Sequence, residues 1–142
     1  MSADPLFFLP NRVWRCYTGG KLLDELRHTA NPSDGNFPED WLASATRAVN
    51  GPHSRHPDEG LSRIKTKDGT TGLLLTDALR DRKDEYLGST ATADGVGVLC
   101  KFLDSAVRLP IQCHPDRAFA REYYQSRSEE RRVGKECRSR WS

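Results

Sequence analysis

Gln112 and His114 stand two residues apart in the stretch Leu109-Pro110-Ile111-Gln112-Cys113-His114-Pro115-Asp116. An amide oxygen and an imidazole nitrogen are both donor atoms for a metal ion. Val107, Leu109, Ile111 and Cys113 alternate with Arg108, Pro110, Gln112 and His114, the two-residue period of a strand. On a strand both donors fall on one face, with Cα atoms about 6.6 Å apart, two steps of about 3.3 Å. Two such groups can converge on one ion, although two do not complete a tetrahedral set. The same residues also suit a half-exposed strand end with an ordinary imidazole. Pro115 has no N–H and ends the pairing. Asp116 suits the cap of a helix over 117–125.

Lys101 is the second candidate. Val98, Leu99 and Cys100 precede it, and Phe102 and Leu103 follow. A strand over Val96–Leu103 with apolar residues on both faces predicts burial on both sides. A lysine there must meet an anion or reach past its neighbours to water. Asp104-Ser105-Ala106 makes a turn, so the Lys101 strand and the Gln112 strand are expected to pair as a hairpin.

Lys101 precedes Gln112 by eleven residues. With Leu109-Pro110-Ile111-Gln112-Cys113-His114-Pro115, that spacing resembles the type I phosphomannose isomerase pattern. In that family a lysine-bearing strand precedes Leu-Ser-(Ile/Val)-Gln-x-His-Pro. The resemblance implies a cupin jelly roll and a zinc-dependent interconversion of mannose 6-phosphate and fructose 6-phosphate. It makes Gln112 and His114 zinc ligands and Lys101 a catalytic and phosphate-contacting residue. Asn11-Arg12-Val13-Trp14 is similar to the family's Asn-x-x-Trp, which implies that Trp14 binds substrate. Glu39-Asp40-Trp41-Leu42-Ala43-Ser44 is similar to its Glu-x-Trp-x-x-Ser entry to the first sheet. There are departures. Arg15 stands where the family usually has Gly. Pro110 stands where a Ser hydroxyl would touch phosphate. The family's third zinc ligand lies in a Gly-Lys-Thr-Glu-like segment, which Gly134-Lys135-Glu136 imitates without the Thr. The family's later His and Arg have no counterpart here. Residues 1–142 alone are therefore expected not to turn over mannose 6-phosphate at a useful rate. The alternative in another class is a non-catalytic sugar-binding or regulatory cupin.

The elements that position these residues are short. Leu6-Phe7-Phe8-Leu9 is an apolar run closed by Pro10, and Thr18-Gly19-Gly20 marks a turn. Lys21–His28 reads as a helix with Leu22, Leu23 and Leu26 on one side. Phe37–Ser44 leads into a strand ending near Val49. Glu39, an acid before an aromatic, suits neutralising a nearby base or orienting a strand. His53 and His56 form H-x-x-H, but Pro52 and Pro57 oppose a helix, so residues 50–60 read as loop. Lys67-Asp68-Gly69 is a turn. Thr76 is expected to cap a helix through Leu87, with Leu79, Tyr86 and Leu87 buried and Gly88 as its stop. The fold class expected is mainly β with short helices: part of an antiparallel cupin jelly roll.

The chain has 142 residues and a net charge of +2. Residues 127–142 carry six basic and three acidic side chains, which leaves 16 and 17 in the first 126, a net of −1. A nucleic-acid reading would rest on that tail alone, and none is expected. The tail has no helical or strand period and resembles the conceptual translation of a sequencing-library adapter. The expected organisation is therefore an amino-terminal cupin-type catalytic portion over 1–126 and a non-native or disordered tail over 127–142. No stretch of about 18 apolar residues predicts a membrane span. The first residues lack a basic secretory start, so a cytoplasmic location is expected. Cys16, Cys100, Cys113 and Cys137 lack C-x-x-C spacing and are expected as free, mostly buried thiols.

Overall fold

The computed structural model describes residues 5–69, 71–91, 95–109, 111, 118 and 122. The chain divides into two compact units, Met1–Val107 and Arg108–Ser142. The first carries all the named strands and helices.

Three short strands form its central sheet: β1 (Arg12–Val13), β2 (Glu39–Leu42) and β5 (Cys100–Leu103), in the order β1-β2-β5 and all antiparallel. A separate hairpin joins β3 (Arg63–Lys65) to β4 (Thr71–Leu74). The Lys67-Asp68-Gly69 turn lies between them, with Gly69 at φ +84°, where glycine meets no steric penalty. The apolar run at the start extends this hairpin: Phe8 bridges Ile64, and Leu9 N–H donates to the Arg63 carbonyl at 3.0 Å. Antiparallel strands in small sheets with a few short helices are the observed class.

The register of the central sheet decides which side chains share a face. Val13 lies opposite Glu39, Glu39 opposite Leu103, and Trp41 opposite Lys101. Opposite residues on antiparallel strands point the same way, as do residues two apart. One face therefore carries Val13, Glu39, Trp41, Lys101 and Leu103. The other carries Arg12, Asp40, Leu42, Cys100 and Phe102. On the first face Val13, Trp41 and Ala48 make the core, with Leu99 packed against it.

Two glycines allow close approaches around this face. At Gly19 a Cβ would stand 1.9 Å from the Asp104 carbonyl oxygen. At Gly60, φ +90°, it would stand 2.6 Å from Ala48 N and 2.9 Å from the Trp41 ring. Asn11 ties the same region together, donating to the carbonyls of Trp41 (3.2 Å) and Gly60 (2.8 Å).

The helices are short, and the sequence pattern misjudges their details. In α1 (Lys21–Leu26) only Leu23 is buried, while Leu22 and Leu26 are exposed. Polar anchors set its rotation: Arg12 Nη1 pairs with Asp24 at 2.8 Å, and Asp104 accepts from the N–H groups of Gly20 (3.1 Å) and Leu22 (2.7 Å). The expected helix from Thr76 is instead α2 (Leu75–Asp81) and α3 (Lys83–Tyr86), broken at Arg82. It starts at Leu75 because Leu75, Ala78 and Leu79 form the buried stripe. Burial outweighs the Thr76 hydroxyl as a start signal. Residues 51–53 form a single 3₁₀ turn in the expected loop.

Three further expectations need correction. The strand over Val96–Leu103 contracts to β5, and Val96, Val98 and Phe102 are exposed. Its faces alternate, because only Lys101 and Leu103 turn towards the core side. The strand expected from Val107 is not formed at Val107, Arg108, Leu109 or Ile111, the residues of it that are described. There the Ser105 hydroxyl donates to the Val107 carbonyl at 2.5 Å, a local turn that competes with a ladder. Cys16 and Cys100 are free, as expected, but exposed rather than buried; Cys100 sits on the outer face of β5. Ala118 and Glu122, within the helix expected over 117–125, are helical. Cys113, Cys137 and the tail over 127–142 lie outside the described residues. No helix among the described residues is long and apolar enough to cross a membrane.

Candidate functional site

The chemistry of the inner face gathers on Glu39. Glu39 is 3% exposed, and among the described residues four side chains converge on its carboxylate. The Tyr17 hydroxyl donates to Oε1 at 2.6 Å, and the Trp41 indole N–H donates to Oε2 at 2.8 Å. Arg15 Nη2 pairs with Oε2 at 2.9 Å. Lys101 Nζ straddles both oxygens at 3.4 and 3.3 Å. The arrangement follows from the register. Glu39 and Trp41 are neighbours on one face of β2, and Lys101 lies opposite Trp41 on β5. Arg15 and Tyr17 arrive from the segment after β1, fixed where Arg15 N–H donates to the Asn36 carbonyl at 2.8 Å.

The Trp41 ring supplies one wall. The Arg15 guanidinium carbon lies 5.0 Å from its centroid and Lys101 Nζ 5.8 Å from it, so the π-face adds to holding both cations. Burial pushes the Glu39 carboxyl up. The hydrogen bonds from Tyr17 and Trp41 and the charges of Arg15 and Lys101 outweigh that, and its pKa lies below the ordinary 4.5. Glu39 is thus a fixed anion near neutrality. With its lone pairs engaged, it is a poor proton shuttle and a good anchor for cations.

Of the two outcomes open to Lys101, an anion or a reach to water, the structure has the first: it is half-buried and faces Glu39. Trp14 is half-buried and stacked on His53, ring centroids 4.2 Å apart and planes 6° from parallel. Its backbone N–H donates to Glu59 at 2.8 Å. Trp14 and Lys101 are linked through Arg15, whose Nη1 donates to the Trp14 carbonyl at 2.7 Å. His53 therefore has a packing role that the loop assignment does not disclose.

Gln112 and His114 lie outside the described residues. Among the described residues no group of three or more His, Cys, Asp and Glu side chains could hold a metal ion. Glu39, the most buried acid of the face, is committed to four donors and does not suit zinc. The zinc assignment rests on the two sequence positions alone.

Sequence reasoning singled out Lys101 but missed Tyr17 as a partner, and Arg15 entered only as a departure from a pattern. The usable signal was the two-residue spacing Glu39-x-Trp41, which places that pair on one face of β2, opposite Lys101. The chain bends at Cys16 and Tyr17, so Arg15-x-Tyr17 carried no such signal. Set against family models, curated proteins and solved structures, the chain matches none.

Proposed function

We propose that this chain carries part of the sugar-phosphate site of an aldose–ketose isomerase of the phosphomannose isomerase type, within part of a cupin jelly roll. The observation that carries the reading is Lys101: a half-buried cation on the inner face of an antiparallel sheet, eleven residues before Gln112. The small antiparallel sheets are compatible with the jelly roll at a coarse level. In this reading Lys101 receives the phosphate of mannose 6-phosphate as a point charge. Trp14 is the sugar contact by resemblance, while Trp41, 5% exposed, belongs to the core and helps to position the two cations. Glu39 holds the cations in place rather than moving a proton. Zinc, a Lewis acid towards a sugar carbonyl, belongs to Gln112 and His114 by resemblance.

A non-catalytic sugar-phosphate-binding cupin is the second reading. Pro110, in place of the hydroxyl residue, and the prior engagement of Lys101 by Glu39 favour it. Calorimetry with mannose 6-phosphate on the zinc-loaded protein tests the shared core of both. Saturable binding is expected, weakened about tenfold or more by Lys101→Ala, the scale of one charged hydrogen bond, with the zinc content unchanged. Binding indifferent to Lys101→Ala, or no binding, sinks the assignment. Exchange of the C2 proton of mannose 6-phosphate in deuterated water, measured on the whole gene product, separates enzyme from binder.

A further inference from the structure

Among the described residues, Glu39 has two cations for one negative charge. A carboxylate offers about four lone-pair directions. Tyr17, Trp41 and Arg15 take three of them at 2.6, 2.8 and 2.9 Å, within the range of strong hydrogen bonds. Lys101 takes what remains, at 3.3 and 3.4 Å from the two oxygens. Lys101 is therefore the most weakly held of the four, and its ammonium has a third donor to give. Arg15 is anchored independently of Glu39. Its Nη1 donates to the Trp14 carbonyl at 2.7 Å and to Asn50 Oδ1 at 3.3 Å, and the guanidinium lies over Trp41.

We infer that Arg15 is a positioning residue that releases Lys101 to an incoming phosphate: Arg15 stays on Glu39 as its counter-ion while the Lys101 ammonium turns from Glu39 to the ligand. This rests on the reading of Lys101 as a phosphate contact. The reason is charge balance. If Lys101 were the only cation on Glu39, its departure would strand a buried carboxylate, which is strongly unfavourable. With Arg15 in place, the cluster keeps a neutral pair and one cation to spare. The residue that departs from the family pattern is thereby the one that makes the lysine exchangeable.

Inorganic phosphate is the probe. Lysines of the wild-type protein are labelled with ¹⁵N at Nζ, and Lys101→Arg identifies the Lys101 resonance. Phosphate should shift that resonance saturably. Arg15→Ala should weaken phosphate binding about tenfold, the scale of one hydrogen-bonded charge. Arg15→Lys should retain it, as should Arg80→Ala, which removes the same charge from an exposed site on α2. The decisive variant is Arg15→Ala with Glu39→Gln: without a charge on Glu39 to satisfy, Lys101 is free again and affinity should recover. An arginine that touched phosphate directly would leave the double variant weak, which overturns the inference. So would an unmoved Lys101 resonance in the wild type, a reading that needs no variant to fold. An indifferent Arg15→Ala that still binds mannose 6-phosphate through Lys101 removes this inference and leaves the proposed function standing.

Discussion

Glu39 and Glu59 are both buried acids, 3% and 1% exposed, and both have pKa values below the ordinary 4.5. They are held by different means. Glu59 accepts from the backbone N–H of Trp14 (2.8 Å) and of Arg55 (2.7 Å), and from the Asn50 amide (2.8 Å). Burial raises its pKa; these bonds, with a smaller effect of His56 charge, bring it down further than burial lifts it. Among the described residues, Glu39 is held by side chains alone, two of them cationic. Backbone donors cannot leave without unfolding the segment that bears them, whereas a lysine can rotate away. Glu59 is therefore a clasp, and Glu39 is a junction where partners can change. Burial and a depressed pKa look the same in both; the kind of donor tells them apart.

The sharpest way to break this contrast is Glu59→Ala. It leaves two half-buried backbone donors without an acceptor, each worth up to the about 1–3 kcal/mol of a buried group, so a loss of about 2–4 kcal/mol is expected in urea unfolding. A change below about 1 kcal/mol would show that water replaces the carboxylate and that Glu59 clasps nothing.

Acid titration comes next. A carboxyl with a depressed folded-state pKa contributes stability that is fully present above the unfolded value, here about 4.5, and lost as pH falls through the folded value. Stability measured by urea unfolding should therefore decline below about pH 4.5. Glu39→Gln should make that decline shallower, leaving the Glu59 share. An unchanged pH profile in Glu39→Gln would mean that Glu39 titrates alike in both states.

The smallest effect belongs to Lys101→Met. Arg15, Tyr17 and Trp41 remain on Glu39, so the expected loss is about 0–1 kcal/mol, the range of a loosely made ion pair. A loss approaching that of Glu59→Ala would mark Lys101 as a structural counter-ion and remove the basis for its exchange.

Much of this was legible in the residues, at the level of local pattern. The lysine in an apolar run left two outcomes open, an anion or a reach to water, and it meets an anion. Lys67-Asp68-Gly69 called for a turn, and Gly69 has the positive φ that requires it. The identity of the anion was not legible, because β2 and β5 are paired across a long stretch of chain whose register no local period encodes. The helix starts failed for a related reason: Thr76 is a good cap in isolation, but the buried stripe from Leu75 fixes the boundary. Leu22 and Leu26 read as a buried side until Arg12, Asp24 and Asp104 are known to set the rotation of α1. The pairing of the Lys101 strand with β2 says nothing about Gln112, so the zinc assignment of Gln112 and His114 still stands on sequence alone.

Asp104 carries one more consequence. Its carboxylate closes the first turn of α1 from 84 residues away in sequence. A six-residue helix is too short to persist by itself in water. The loop that must close before Asp104 arrives is nearly the whole of the first unit, and such closures are slow steps in chain collapse. During synthesis, α1 therefore emerges long before the residue that completes it. Any nascent chain that ends before Asp104 lacks the acceptor for the Gly20 and Leu22 N–H groups, so α1 is among the last elements of the unit to become fixed.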